Sequence, residues 1–349
     1  VKRILLVGAG HAHTVLLRRL VEKPLRGARI AIVAPAAKQL YSGMLPGIVA
    51  GHYRRHEAEI DVARLAEAAY VEFIEGTVTA LDSRQRSATL ADDRELSYDV
   101  LSLNAGSRPD TSVPGATEHA LVVKPFERFV RELTFAPRIA LGGGGAAGAE
   151  LAMALRHRGC AVTLYSEKSG FQPSFERRIT AALRSRGVDY RPGMPITALE
   201  PGPLVVSGTA RQSFDLVVWT TGPVALRWLA RSGLQTDGHG FVLVDPTLRS
   251  VSHPEVFAVG DCATVEGARH PKSGLYSVRH GAMLAANLRN LVDGKALKRY
   301  RPQKRALILL SCGGRYAIAS RGGWTAEGWW VWRWKDWIDR GWVRRLAVR

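Results

Sequence analysis

Two short stretches carry the residues best suited to chemistry. The first is Lys2 to His13, KRILLVGAGHAH. Ile4 to Val7 form an apolar run that predicts a buried parallel strand. Gly8-Ala9-Gly10 is a tight turn, and from His11 onward Val15, Leu16, Leu17, Leu20 and Val21 recur at helical spacing. A strand, a glycine turn and a helix in this order hold a pyrophosphate. The glycines let the backbone approach, and the helix N–H groups and dipole attract the negative charge. The third glycine of G-x-G-x-x-G is replaced by His13.

The second stretch is Arg138 to Glu150, RIALGGGGAAGAE, in which Gly143, Gly145 and Gly148 satisfy G-x-G-x-x-G in full. Leu151, Met153, Ala154 and Leu155 continue a helix, and Cys160 to Leu164 reads as the next strand. A fingerprint flanked in this way predicts a nucleotide site. An acid at the end of that second strand would bind ribose hydroxyls. Ser166 stands there by count and Glu167 follows one place late, so NADH and NADPH both remain candidates. In the first unit the matching strand, Arg29 to Val33, ends in Ala34-Pro35 without an acid.

Other elements must position these turns. Tyr41-Ser42-Gly43-Met44-Leu45-Pro46-Gly47 reads as a loop, either lying against a flat ligand or forming a surface turn. Asp61 to Ala69 predicts a helix capped by Asp61. Val71 to Asp82, Ala88 to Leu90 and Tyr98 to Asn104 predict strands, the last ending in the small residues Ala105, Gly106 and Ser107. Val113-Pro114-Gly115 marks a crossing between lobes. Phe171 to Gly187 predicts a helix. Arg191 to Leu199, Pro203 to Val206, Phe214 to Thr221 and Phe241 to Asp245 predict strands. The run Val256 to Ala263, VFAVGDCA, brings Gly260 and Asp261 to the end of an apolar strand. Asp261 there either accepts from ligand hydroxyls or caps the next helix. Lys272 precedes a long helical stretch, Tyr276 to Leu291, and by itself reads as an ordinary solvated lysine.

The last fifty residues differ in character. Trp324, Trp329, Trp330, Trp332, Trp334, Trp337 and Trp342 alternate with arginines and a lysine, and Trp330, Trp334, Trp337 and Ile338 share one helical face. Such a face either lies at an anionic membrane interface or packs as a lid or dimer contact.

Composition bounds the rest. At 349 residues and 46% hydrophobic, the chain can bury a substantial core. It has no run of eighteen apolar residues, so no spanning helix is expected. The N-terminal apolar run is short and ends in glycines, so it belongs to the fold rather than to a leader. The cysteines Cys160, Cys262 and Cys312 are scattered without metal spacing, so no metal site is expected. The cytoplasm is the expected location, with peripheral attachment to the inner membrane face as the alternative. A net charge of +18 suits anionic partners or simple solubility, and no nucleic-acid motif accompanies it, so nucleic acid is not an expected partner.

Taken in order, the two fingerprints, the V-P-G link, the strand ending Asn104-Ala105-Gly106-Ser107 and the late VFAVGDCA resemble a flavoprotein of the pyridine nucleotide-disulfide oxidoreductase superfamily. YSGMLPG, PKSGLYSVRHG and WRWKDWIDR resemble its branch related to type II NADH dehydrogenases and to the flavoprotein-like domain fused to selenide, water dikinase.

The resemblance implies an α/β fold of two Rossmann-like domains, the second inserted in the first. An FAD domain would span 1–108 and 234–300, an NAD(P)H domain 109–233, and a Trp/Arg-rich segment 301–349. FAD would meet Gly8, Gly10, His11, Ala12 and His13 at its pyrophosphate and Val78 at its adenine. Asn104, Ala105 and Gly106 would lie at the crossover, Gly260 and Asp261 at the ribityl chain, and Met44, Leu45 and Pro46 near the ring. NADH or NADPH would meet Gly143, Gly145, Gly148, Glu150 and Glu167, with Gly222 at the nicotinamide side. Lys272 is the candidate catalytic cation beside the flavin.

The implied activity is an FAD-dependent oxidoreductase that passes a hydride from NAD(P)H to flavin and then electrons to an acceptor, a quinone being one candidate. A sulfide:quinone-reductase-like enzyme and a flavin-bound partner module are the alternatives, and a homodimer is a candidate assembly. No cysteine precedes Cys160, so the superfamily's C-x-x-x-x-C dithiol chemistry is excluded.

Overall fold

The computed structural model describes residues 1–348 apart from 168–170, 269 and 304. Its first sheet begins with β1 (Lys2–Val7), β2 (Ala28–Ala34), β3 (Glu72–Glu75) and β4 (Val100–Leu103), all parallel. Helix α1 (His11–Glu22) links the first two. Ile4, Leu5, Leu6 and Val7 are all buried, as expected of a strand covered on both faces.

The chain then builds a second parallel sheet from β5 (Leu121–Val122), β6 (Arg138–Gly142), β7 (Ala161–Ser166), β8 (Asp189–Pro192) and β9 (Leu216–Trp219), in the order β5-β9-β6-β7-β8. It returns to the first sheet at β10 (Val256–Ala258), which pairs with β4 and completes the order β10-β4-β1-β2-β3. Arg108–Pro109 and Pro223–Val224, the outgoing and returning strands, pair antiparallel.

Three later helices matter for the site. The short α2 (Leu45–Ala50) follows a single 3-10 turn at Ser42–Met44, α3 (Ala146–His157) follows β6, and α4 (Gly274–Val292) crosses α1. The α1–α4 crossing is close because Gly281 has no side chain: a Cβ there would stand 2.3 Å from the Ala12 carbonyl oxygen. The chain ends in an antiparallel sheet of β11 (Ile308–Ser311), β12 (Ala317–Arg321) and β13 (Trp324–Gly328), followed by α5 (Trp329–Leu346).

Three expectations change. Val71 to Asp82 is not one strand: it breaks at Gly76-Thr77. Glu72–Glu75 joins the first parallel sheet, while Val78–Asp82 turns away to pair with Ser87–Leu90. Alternation along the strand could not reveal the change of sheet. Arg191 to Leu199 likewise divides between Asp189–Pro192 and Ala198–Glu200. YSGMLPG is helical for most of its length, with Pro46 in the first turn of α2, where a missing N–H costs nothing. The helix that precedes β3 is Val62–Ala68, and Asp61 Oδ1 caps it by accepting from the Arg64 N–H at 3.0 Å. Among the described residues no helix is long and apolar enough to cross a membrane.

Candidate functional site

In the first glycine turn, Gly8 has φ +84°, and a Cβ there would lie 2.5 Å from the Asn104 carbonyl oxygen. Only glycine fits. The N-cap residue Gly10 brings no side chain to α1 and no acid stands in its first turn, so apart from the His13 N–H, which Asn104 takes, its N–H end is left for an anion. Asn104 ties this turn to β10. Its Oδ1 accepts from the His13 N–H at 3.2 Å and its Nδ2 donates to the Val259 carbonyl at 3.0 Å. A Cβ at Gly10 or at Gly260 would strike the same amide.

The second turn fits a dinucleotide by the same test. Gly143 has φ +113°, and a Cβ there would lie 2.7 Å from the Thr220 backbone. Gly148 packs α3 onto the turn, a Cβ there falling 1.8 Å from the Gly143 carbonyl oxygen. Gly145 meets nothing within 4 Å. Its open space belongs to a cavity, and α3, like α1, has neither a side-chain cap nor an acid in its first turn.

That cavity, about 1250 Å³, joins both lobes. The first lobe contributes His11, Tyr41, Leu45, Pro46, Asp261 and Lys272, and the second Gly143, Gly145, Glu150, Glu167 and Gly222. Helix α5 adds Ile338, Trp342 and Arg345. Gly8, Gly10, Ala12, His13, Asn104, Ala105, Gly106, Gly148 and Gly260 stand outside the lining. Val78 packs in the first-lobe core, and Met44 is fully buried beside Leu40, Tyr53 and Ala58. Of the Met44-Leu45-Pro46 trio only the last two therefore reach the cavity.

Several charges on its wall have defined partners. Asp261 Oδ2 accepts from Lys124 Nζ at 3.4 Å and from Ser107 Oγ at 3.3 Å. Lys124 is a lining residue that sequence reasoning missed. Lys272 Nζ donates to the Ala263 carbonyl and to Thr264 Oγ1, and lies 4.0 Å from the Phe241 ring centre. Burial holds its pKa below the usual lysine range. His11 is neutral at physiological pH: burial pulls it down to about 4. It contacts the Tyr41 ring edge-on and stacks on Trp342.

Glu150 is the titratable group best placed for proton chemistry. One oxygen accepts the Ser311 N–H at 2.7 Å, and burial pushes the carboxyl up to about 7, with the nearby Lys335 opposing the rise. Lys335, also missed in the sequence, donates to the Gly43 carbonyl at 2.7 Å and to Asp339 Oδ2 at 2.6 Å. Tyr41 donates to Asp339 Oδ1 at 3.2 Å. The WRWKDWIDR motif held Lys335 and Asp339, but nothing near it in sequence pointed to residues 41, 43 and 150.

Two glycine-hinged Rossmann units that share one cavity define an FAD- and NAD(P)H-dependent oxidoreductase. The chain belongs to the pyridine nucleotide-disulphide oxidoreductase family, whose model matches residues 2–286. It is similar to ferroptosis suppressor protein 1 of Xenopus tropicalis, at 27% identity over 68% of each chain. The sulfide:quinone oxidoreductase of Aquifex aeolicus shares its fold with a TM-score of 0.82 at 15% identity, covering 99% of this chain and 91% of that one. NDH2 of Plasmodium falciparum, solved with NADH, gives 0.79 at 12% identity and covers 98% of both chains. Despite the family's name, all three cysteines here are free and buried, and none lines the cavity.

Proposed function

We propose that this protein is an NAD(P)H dehydrogenase that uses FAD to reduce a quinone-like acceptor. FAD is held by residues 1–108 and 234–300 and the nicotinamide cofactor by 109–233. The observation that carries this is the single cavity on which the second glycine turn, Glu150 and Asp261 open together. When bound, the nicotinamide supplies a hydride and the flavin stores and forwards the electron pair.

The protein's own groups do the rest. The open N–H ends of α1 and α3 hold the two pyrophosphates. Asp261 accepts from ribityl hydroxyls, and Glu167 accepts from the adenosine ribose, which favours NADH over NADPH because a 2′-phosphate would meet its charge. Gly222 leaves room at the nicotinamide side. Lys272 provides positive potential at a fixed place, because two of its three N–H donors are held by the Ala263 carbonyl and Thr264 Oγ1. Glu150, near neutrality in its proton affinity, carries a proton at its carboxyl toward the reduced acceptor. Cysteine chemistry of the sulfide-oxidising kind has no support, since no thiol reaches the cavity.

The acceptor's route is apolar. Leu275, Leu309, Ile338 and Trp342 line the cavity, and the exposed Trp329, Trp330 and Trp337 lie on the same helix as the last two. Interfacial tryptophans and arginines suit an anionic bilayer, from which a lipid-soluble quinone would enter.

The test is anaerobic titration of the FAD-loaded protein with NADH, followed by a short-chain quinone. The yellow absorbance is expected to bleach and then return, with Glu150→Gln slowing the return by about tenfold or more. Bleaching without return under quinone would refute the acceptor class. No bleaching with either nicotinamide would refute the whole activity.

A further inference from the structure

Three side chains from separate stretches close a triangle on the cavity wall where the two parallel sheets meet. Lys124 follows β5 of the second sheet, Ser107 precedes the outgoing strand Arg108–Pro109, and Asp261 follows β10 of the first sheet. Lys124 Nζ donates to Asp261 Oδ2 at 3.4 Å and to Ser107 Oγ at 3.2 Å, and Ser107 Oγ donates to the same Oδ2 at 3.3 Å. The lysine and the aspartate lie 137 positions apart in the chain.

Adhesion between the sheets does not explain this pair. Its side chains are 32% and 19% exposed, so solvent screens much of the attraction. Apolar contact already fastens the two halves: Leu45 and Val49 of α2 share one core cluster with Leu151 and Leu155 of α3.

The bonds instead fix the attitude of one carboxylate. The main chain beside Asp261 is held from one side, where the Gly260 N–H donates to Nδ1 of the fully buried His280 at 3.0 Å. The side chain is held from the other, and both of its hydrogen bonds fall on Oδ2. Among the described residues Oδ1 has no hydrogen-bond partner. An ionised carboxylate accepts about four hydrogen bonds, so anchoring one oxygen leaves the other for ligand hydroxyls. Lys272, the other lysine of the wall, donates to Ala263 and Thr264. Lys124 is therefore the lysine that anchors Asp261.

We infer that Lys124 is a positioning residue for FAD: together with Ser107 it anchors Asp261 by Oδ2 and so keeps Oδ1 set for the ribityl hydroxyls. The second sheet thereby takes part in holding a cofactor whose pyrophosphate sits on the first. The inference rests on the proposed role of Asp261 and adds the residue that aims it.

The test compares two ligands on the deflavinated full chain, with binding read by flavin fluorescence. One is FAD. The other is an FAD analogue with a plain five-carbon chain in place of ribityl, which keeps the ring, the pyrophosphate and the adenosine but has no linker hydroxyls. Wild type should prefer FAD by about tenfold or more. Lys124→Met keeps the stem and removes the ammonium. It should weaken FAD binding about fivefold or more and leave the analogue within about twofold of wild type. In an Asp261→Asn background the same change should cost no further FAD affinity, because a residue acting through that carboxylate has no charge left to anchor.

Equal weakening of both ligands by Lys124→Met would mean lost packing or a direct contact elsewhere on the cofactor, and would overturn the inference. So would a full additional loss in the Asp261→Asn background. If Lys124→Met does not fold, Lys124→Gln replaces it with the same readings. Failure here is separable from failure of the reading beneath it. Equal wild-type affinity for the two ligands would refute the ribityl role of Asp261 and the inference with it. A wild-type preference that survives unchanged in Lys124→Met would refute the positioning role alone.

Discussion

Ser102 Oγ donates to His13 Nε2 at 2.9 Å, joining the first turn of α1 to the middle of β4. The other ring nitrogen, Nδ1, donates to the Gly8 carbonyl at 2.5 Å. The ring thus occupies the place of the third glycine of the fingerprint and replaces close helix–strand contact with two hydrogen bonds. It is fully buried and neutral, since burial pulls its pKa down to about 4.

Restoring the consensus with His13→Gly is therefore expected to harm the protein. The change leaves a cavity and an unpaired Ser102 hydroxyl, costing about 2–4 kcal/mol. Thermal unfolding of the flavin-free protein checks this, and a thermal midpoint equal to or above wild type would contradict it.

The two later glycines of the second turn should separate binding from folding. Gly148→Ala places a Cβ 1.8 Å from backbone and should lower the thermal midpoint. Gly145→Ala meets no protein atom within 4 Å, so stability should hold while NADH binding weakens by about tenfold or more. Differential scanning fluorimetry with and without NADH reads both. Tight NADH binding by Gly145→Ala would place the pyrophosphate elsewhere.

Glu150 predicts a pH dependence of stability. Its folded pKa of about 7 lies above the ordinary 4.5, so between those values the folded state binds the more protons. Stability from this group is full below the ordinary value and falls as pH rises through about 7. Glu150→Gln should remove that decline and stabilise the flavin-free protein above neutrality, by roughly 2 kcal/mol. Chemical denaturation at acid and alkaline ends of the window measures it, and parallel curves for the two proteins would count against a raised carboxyl.

Glu167 should set the choice of nicotinamide. Glu167→Ala is expected to raise KM for NADH about tenfold with little change for NADPH, because only the former loses a ribose partner. Steady-state assays with each reductant decide, and equal effects on both would remove the residue from the ribose site.

The outward face of α5 makes the membrane prediction. Trp329 and Trp337 are 63% and 66% exposed. Replacing both, with Trp330, by serine should abolish co-sedimentation with anionic lipid vesicles and leave reduction of a water-soluble quinone intact. Retained sedimentation would assign the face to another partner.

Local demands on the backbone explain what the amino-acid order determined alone. Gly8 and Gly143 need positive φ, and Gly148 a bare Cα, within a few residues of the strands and helices they join. The apolar runs Ile4–Val7 and Ile139–Leu141 sit beside them, so both Rossmann units and their order were legible without coordinates. The six-residue helix at Leu45 and the break at Gly76 were not, because sheet choice and short helices depend on neighbours distant in the chain. Nor was the role of His13, whose partner Ser102 lies 89 positions away. Only the tertiary structure brought Tyr41, Gly43, Glu150, Lys335 and Asp339 together. Burial and the field of charges from three separate segments decide their protonation, and no local spacing encodes that field.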